Sequence, residues 1–100
     1  MKIWLDDERP APEGWIRTAY ADVTIHLLAY NDVSEVSLDH DLGDHRIETG
    51  YDVVAWIERE VFINPDYKPP KINVHSANPP ARKRMEAAAR KINEISAGSE

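Results

Sequence analysis

No cysteine occurs in the 100 residues, which excludes disulfide bonds, thiolate zinc sites and a cysteine nucleophile. Glycine is sparse, with four residues, and the chain has no glycine-rich phosphate loop. No apolar run approaches the roughly 18 residues that span a bilayer, and the first residues lack the apolar core of a signal peptide. These absences predict a cytoplasmic protein that does not act at a membrane.

Positive charge is also in short supply, since 12 Lys and Arg stand against 18 Asp and Glu and the net charge is −6. An acidic chain is poorly suited to generic binding along double-stranded nucleic acid. The charge is uneven, because residues 1–50 hold eleven acidic and four basic side chains, while residues 79–91 hold one acidic and five basic. Either the charges are scattered over solvated faces without a function, or the acidic segment binds a metal ion and the basic segment binds an anion.

What is present is an alternation of strand and helix patterns. The apolar fraction of 42% and the length fit one globular domain over residues 1–95, with a flexible tail at 96–100. The alternation implies parallel strands joined by right-handed crossovers, which is an α/β fold. The predicted strands are 2–5, 15–18, 33–38 and 72–75, and the predicted helices begin near 20, 50 and 79.

The helix patterns include their own start points. Thr49 is followed three residues later by Asp52, which is the spacing of a capping box. Pro79 follows Asn78, a favoured N-cap residue, and proline is favoured in the first turn. The apolar positions that give the helical spacing are Val23, Leu27 and Tyr30, then Val53, Val54, Ile57 and Val61, then Met85, Ala88, Ala89, Ile92 and Ile95.

Carboxylates follow two of the predicted strands. Asp6 and Asp7 come directly after the first strand, and Asp39 follows the third. In an open parallel sheet the ligand crevice lies outside the carboxyl ends of the strands, so these side chains should meet there. Clustered carboxylates repel one another and suit hard divalent cations, with Mg²⁺ or Mn²⁺ the best candidates. The alternative is that each Asp only caps a loop, but three together favour a metal site.

Two histidines lie at the same strand ends. His40 follows Asp39 and precedes Asp41, a secondary site candidate, and His75 follows the fourth strand. Imidazole can act as a general acid, a general base or a metal ligand near neutral pH, which makes His40 and His75 candidate catalytic residues. The alternative for either is a packed histidine bonded to a backbone carbonyl.

An anion site is expected where the fourth strand leads into the last helix. Ser76 and Asn78 precede that helix, whose first free N–H groups should face the crevice and favour phosphate. Arg82 and Lys83 lie in its first turns, where cations oppose the helix dipole unless an anion compensates. The alternative is an ordinary N-cap followed by solvated side chains. Arg9 and Arg46 are weaker candidates for the same role.

This layout resembles the receiver domains of response regulators. An acidic pair after the first strand, Asp39 after the third and Ser76 after the fourth match the receiver site in chain order. The resemblance implies a small three-layer, flavodoxin-like parallel sheet of about four strands. Two departures are expected, since a proline-containing loop at 9–14 replaces the usual first helix and no fifth strand with its lysine follows the last helix. The missing lysine argues against a conventional phosphorelay switch.

Four motifs in order resemble a narrower family, the cyclic-phosphate-processing receiver-like domains, which are small stand-alone proteins of prokaryotes and phages. The resemblance covers roughly residues 1–92 and implies an acidic metal site with added histidines. It also implies a role in RNA repair or nucleotide metabolism. The motifs are Leu5-Asp6-Asp7-Glu8-Arg9-Pro10, Ser37-Leu38-Asp39-His40-Asp41-Leu42-Gly43, Thr49-Gly50-Tyr51-Asp52 and His75-Ser76-Ala77-Asn78-Pro79.

The implied reaction is metal-dependent hydrolysis of a cyclic phosphate on an RNA end, a nucleotide or ADP-ribose. In this interpretation His40 or His75 moves the proton, and in a variant Asp39 is the nucleophile through an aspartyl phosphate. Two other classes stay open from the sequence. Asp39 could accept a phosphoryl group in signalling, or the domain could be a non-catalytic nucleotide- or protein-binding module.

Overall fold

The computed structural model describes residues 1–41 and 49–98. Within them, none of the three helices has the length and apolar character that crossing a membrane requires. The elements are β1 Lys2–Leu5, β2 Ile16–Thr18, α1 Ala21–Tyr30, β3 Glu35–Leu38, α2 Gly50–Ile63, β4 Lys71–Val74 and α3 Pro79–Gly98.

The four strands form one parallel sheet in the order β2-β1-β3-β4. Ile3 pairs with Ile16 on one side and with Val36 on the other, and Val36 pairs with Ile72. The predicted receiver-like α/β fold is confirmed, because the sheet, the element order and the direction of every strand agree with it.

All three helices pack against the same face of the sheet. Ile3, Leu5, Val36 and Leu38 point to that face and join the buried core with side chains from α1, α2 and α3. The right-handed rule explains this arrangement, since β2-α1-β3 and β3-α2-β4 both cross the sheet in one direction. The connection that runs the other way, from β1 to β2, contains no helix.

The described residues therefore form two layers, one sheet and one layer of helices. The three-layer arrangement that the sequence predicted would need helices on the other face as well, and the described residues have none there. The layer is lost because the loop 6–15 stands where a receiver has its first helix, as the sequence predicted. This loop turns back through Pro12 and Gly14, with Trp15 N donating to Pro12 O at 3.1 Å and Gly14 at a φ of 86°. Such a positive φ is the conformation that glycine adopts without strain.

The capping box predicted for the start of α2 is present, whereas the residues predicted to be buried on α1 differ from those that are buried. Thr49 forms the predicted capping box of α2 with Asp52. In α1 the predicted helix is present, but Val23 and Tyr30 are exposed. Small side chains let α1 approach the sheet closely, and Thr24 meets Thr18 with their hydroxyl oxygens 2.7 Å apart. The buried residues of α1 are Ala21, Thr24 and Leu28.

Candidate active site

The predicted carboxylates converge at the carboxyl edge of the sheet, which is the edge where the strands end. One carboxylate oxygen from each of Asp6, Asp7 and Asp39 lies within 4.8 Å of the others. Asp6 and Asp39 are buried, and Asp7 is half-buried. The sequence rule that placed them together is therefore correct for this structure.

The sheet ladder itself sets the positions of the central side chains. The backbone N–H of Asp39 donates to Leu5 O at 3.0 Å, and that of His75 donates to Leu38 O at 3.0 Å. Asp6, Asp39 and His75 are thus each one residue beyond a strand. Because side chains alternate along a strand, all three lie on the face that the helices do not cover.

Asp6 is held by hydrogen bonds to both of its carboxylate oxygens. Its Oδ1 accepts from the backbone N–H groups of Glu8 and Arg9, at 2.8 and 2.9 Å. Its Oδ2 lies 3.2 Å from His75 Nε2 and 3.7 Å from Arg9 Nε. Arg17 Nε donates to the backbone oxygen of Asp6 at 3.0 Å. These contacts fix the side chain before any ligand binds.

The two buried carboxylates differ in how their surroundings act on the proton. Burial favours the neutral form of Asp6, but the N–H groups of Arg9 and Glu8 and the contact with His75 outweigh it, so the pKa of Asp6 is lowered. Burial and the neighbouring charge of Asp6 raise the pKa of Asp39 above its ordinary value. The repulsion between the two carboxylates thus disfavours the charged form of Asp39, and a bound cation would reduce that repulsion.

His75 is bonded at both ring nitrogens. Burial lowers the pKa of His75, although the hydrogen bond and charge of Asp6 and the charge of Asp39 oppose the shift, so the ring is neutral at pH 7. The Asp6 carboxylate can only accept, which puts the single ring proton on Nε2. Nδ1 then accepts from the Ser37 hydroxyl at 2.7 Å. The ring also stacks on Trp4, with centroids 3.9 Å apart and planes 4° from parallel.

His40 has a different environment. Its Nδ1 lies 2.8 Å from Oδ1 of Asp41, and 16% of its side chain is exposed. The Asp41 carboxylate accepts the Nδ1 proton, which leaves Nε2 as the unprotonated nitrogen of the neutral ring. Asn78 Nδ2 is 3.5 Å from the other oxygen of Asp41. His40 thus has the tautomer that a general base requires.

The start of α3 differs from the expectation of free N–H groups facing the crevice. Pro79 and Pro80 have no N–H, the N–H of Ala81 donates to Asn78 Oδ1 at 3.3 Å, and that of Arg82 donates to Asn78 O at 2.9 Å. The first turn therefore has no spare backbone donor, and this expectation is wrong. Ser76 is buried, and its Oγ accepts from the N–H of Asn78 at 3.1 Å.

The basic candidates lie in different places. Arg9 is beside the carboxylates and donates from Nη1 to the backbone oxygen of His75 at 2.9 Å. Arg82 is exposed and pairs with Glu86 on its own helix at 2.7 Å. Lys83 is also exposed, and no contact joins it to the site within the described ranges. Arg46 is outside the described residues.

Two residues that sequence reasoning missed support His75 from the helix-free face. Ser37 bonds Nδ1, and Trp4 supplies the stacking surface. Each lies two positions before a candidate carboxylate, Ser37 before Asp39 and Trp4 before Asp6. A polar or amphipathic side chain at this spacing in a short apolar strand is the sequence feature that would have indicated them.

The comparison with known proteins agrees with this geometry. The sequence profile described as the cyclic-phosphate processing receiver domain matches residues 1–91. The chain belongs to that family. The expected membership in the cyclic-phosphate processing receiver domains is thereby confirmed, and it ties the chain to the processing of cyclic phosphates. No curated protein and no solved structure matched the chain.

Proposed function

We propose that this cyclic-phosphate processing receiver domain hydrolyses a cyclic phosphodiester on an RNA end, a nucleotide or ADP-ribose, with a divalent cation bound at Asp6, Asp7 and Asp39. The observation that carries the proposal is the convergence of these three carboxylates within 4.8 Å, with the imidazole of His75 in contact with Asp6. In chemical terms, water adds to phosphorus, one bond from phosphorus to a ribose oxygen breaks, and a phosphomonoester and a hydroxyl result.

The donor set suits Mg²⁺ or Mn²⁺. Both ions prefer hard oxygen ligands, and the carboxylates of Asp6, Asp7 and Asp39 would each supply one. The raised pKa of Asp39 supports the same conclusion, because burial and the charge of Asp6 both disfavour its carboxylate and a cation would favour it. When bound, the cation supplies Lewis acidity toward the phosphoryl group.

The proton transfer is best assigned to His40. Its Nε2 can take a proton from the attacking water and return it to the leaving ribose oxygen, so one imidazole completes the proton balance. Asp41 at 2.8 Å holds the ring and stabilises the charged form that arises between the two transfers. We assign His75 to positioning, because both of its nitrogens are already engaged and its Nε2–H orients Asp6.

The phosphate-binding assignments rest on exposure and chemistry. Arg9 is half-exposed at the site and has five N–H donors, of which its protein contacts use two. Ser76 and Asn78 stay candidates through their side chains. Arg82 and Lys83 stay candidates only for a ligand that extends along α3.

The test combines metal binding with turnover. Melting of the wild type should be followed while Mg²⁺ or Mn²⁺ is added, and we expect a stabilisation of about 3 kcal/mol at a hundredfold excess over the dissociation constant. The same samples should be assayed on a 2′,3′-cyclic mononucleotide, an RNA with a 2′,3′-cyclic end and ADP-ribose cyclic phosphate. Asp39→Asn should abolish both responses.

Asp66→Asn is the matched control, because Asp66 is exposed and precedes β4 at the opposite edge of the sheet. It should keep the metal response and the turnover of the wild type. Metal stabilisation that is the same in Asp39→Asn would overturn the metal assignment. A stable acyl phosphate on Asp39 after treatment with acetyl phosphate, with no turnover of any cyclic phosphate, would instead support the signalling interpretation.

A further inference from the structure

The sheet has one face that no described helix covers. Trp4, Arg17, Ser37 and Asn73 form one row across this face, and Lys2, Glu35 and Lys71 form a second row nearer the start of the strands. We call these two rows, together with Trp15, the open face. Trp15 packs edge-on against Trp4, with ring centroids 6.1 Å apart.

The open face is positively charged in an acidic chain. Lys2, Arg17 and Lys71 are exposed there, and Glu35 is the one carboxylate in the two rows. The Glu35 carboxylate is already engaged within the face, since it lies 3.8 Å from Lys2 Nζ and accepts from Asn73 Nδ2 at 2.6 Å. The face thus has a net charge of +2, whereas the whole chain has −6.

The open face also presents aromatic rings and runs into the candidate active site. Trp4 and Trp15 are half-buried, and Lys2 Nζ lies 5.6 Å from the centre of the Trp15 ring. At the carboxyl edge, Trp4 stacks on His75, whose Nε2 bonds Asp6. Aromatic rings beside cations on an exposed sheet are the combination that binds unstacked bases and the phosphates between them.

We infer that the open face binds single-stranded RNA and guides its cyclic end to the carboxyl edge. This inference deepens the proposed function and rests on it only for the position of the cyclic end. Charge complementarity selects a polyanion as the occupant, and the indole rings select one with exposed bases. A duplex has its bases stacked inside, so it offers the indoles nothing to contact.

Binding can be measured without turnover. The probe is a fluorescein-labelled octa-adenylate with a 3′-hydroxyl, followed by anisotropy at two salt concentrations. Lys2→Gln/Lys71→Gln should weaken binding roughly 25-fold at 0.1 M salt and reduce the salt slope by about 1.4, as expected for two lost phosphate contacts on a single strand. Arg59→Gln/Arg90→Gln removes two exposed charges from the helix layer and should change neither.

Trp15→Ala tests the aromatic part. Loss of one stacked base should weaken binding roughly five- to 150-fold, whereas Phe62→Ala, which removes an aromatic ring that is 78% exposed on α2, should not. Circular dichroism checks that each variant is folded. If Trp15→Ala does not fold, the double lysine variant decides the test, because it is altered only at exposed positions.

Three results would overturn the inference. They are an affinity for octa-adenylate that is the same in the open-face variants and the wild type, equal losses of affinity in the helix-layer controls, and no binding of octa-adenylate by the wild type, including the case in which the face instead forms a dimer that Trp15→Ala disrupts. Turnover of cyclic mononucleotides without RNA binding refutes the inference and leaves the proposed function standing. RNA binding without turnover of any cyclic phosphate supports the inference and refutes the proposed function.

Discussion

His75 donates from Nε2 to Oδ2 of Asp6 at 3.2 Å, and this contact joins the end of β4 to the end of β1 across the intervening strand. The imidazole reaches this far because Ser37, on the strand between them, is small and bonds the other ring nitrogen. The pair therefore ties together the two strands that flank Asp39. Any change at His75 should be felt in the stability of the fold as well as in the site.

The two histidines should respond differently to substitution. His40→Ala should lower turnover roughly 10²–10⁴-fold, the usual contribution of a general base, and should cost less stability than His75→Ala, because the side-chain contact it removes is with the exposed Asp41. His75→Ala should cost roughly 1–3 kcal/mol of stability, because Asp6 and Ser37 lose their partner in a buried setting. Denaturant unfolding and turnover of a confirmed cyclic phosphate check both statements.

His75→Gln is the informative partner variant, since an amide can still donate toward Asp6. It should recover part of the stability and of the turnover that His75→Ala loses. The assignment of roles would be reversed if His40→Ala kept full turnover while His75→Gln, well folded, had none.

Asp39→Asn should stabilise the protein in the presence of a chelator. Burial and the charge of Asp6 raise the pKa of Asp39, so its ionisation is less favourable in the folded state than in the unfolded state and lowers the stability at pH 7. Asparagine removes the charge and keeps an oxygen for the N–H of His40, which donates to Asp39 Oδ1 at 2.9 Å. We expect a gain of about 0.5–2 kcal/mol in guanidinium unfolding. A loss relative to Asp66→Asn would contradict the burial argument.

Gly50→Ala should be among the most damaging single changes. A Cβ at Gly50 would overlap the backbone carbonyl of Asp39 and lie 3.0 Å from Met85 Cε. Neither strand nor helix can retreat easily, so we expect a cost of about 3 kcal/mol. Gly14→Ala is the comparison, since it faces open space and incurs only the positive φ, worth about 1–2 kcal/mol. Equal costs by urea unfolding would show that the contact at Gly50 relaxes freely.

Tyr67 should make stability fall at alkaline pH. Burial and the nearby charge of Glu60 raise the pKa of Tyr67 to about 12. The folded state then holds this proton more tightly than the unfolded state, so the stability it contributes is complete below pH 10 and declines as the pH rises toward 12. At pH 11 the wild type should have lost about 1 kcal/mol more than Tyr67→Phe, measured against each protein at pH 9. Parallel loss in both proteins would contradict the shift.

The sequence was sufficient for the features that follow from local chemistry and sheet geometry. Asp6, Asp7 and Asp39 could be brought together because parallel strands end at one edge, and Thr49 with Asp52 marked the start of α2. The wrong expectation of free N–H groups at α3 has a local cause. Asn78 was recognised as an N-cap, but its side chain and carbonyl satisfy the donors left after Pro79 and Pro80.

Other features depend on which strands are neighbours, and the sequence does not state that order. The bond from Ser37 to His75 and the stack of Trp4 on His75 require β1, β3 and β4 to lie side by side. The single helix layer likewise follows from strand order together with crossover handedness. In α1, Ala21 and Thr24 are buried where larger apolar side chains were favoured, because these small side chains let the first turns of the helix lie close to the sheet.

The helix-free connection between β1 and β2 also bears on the order in which the chain assembles. Ile3 pairs with Ile16, 13 residues away, whereas its other partner Val36 is 33 residues away and the pair of Val36 and Ile72 spans 36. Loop-closure entropy makes the first pairing cheaper than the second by about 0.8 kcal/mol. We expect β1 and β2 to meet first, so that Asp6 is already anchored to Thr18 before β3 delivers Asp39. Substitutions in β2 would then slow folding more than those in β4, which kinetic φ-values can measure.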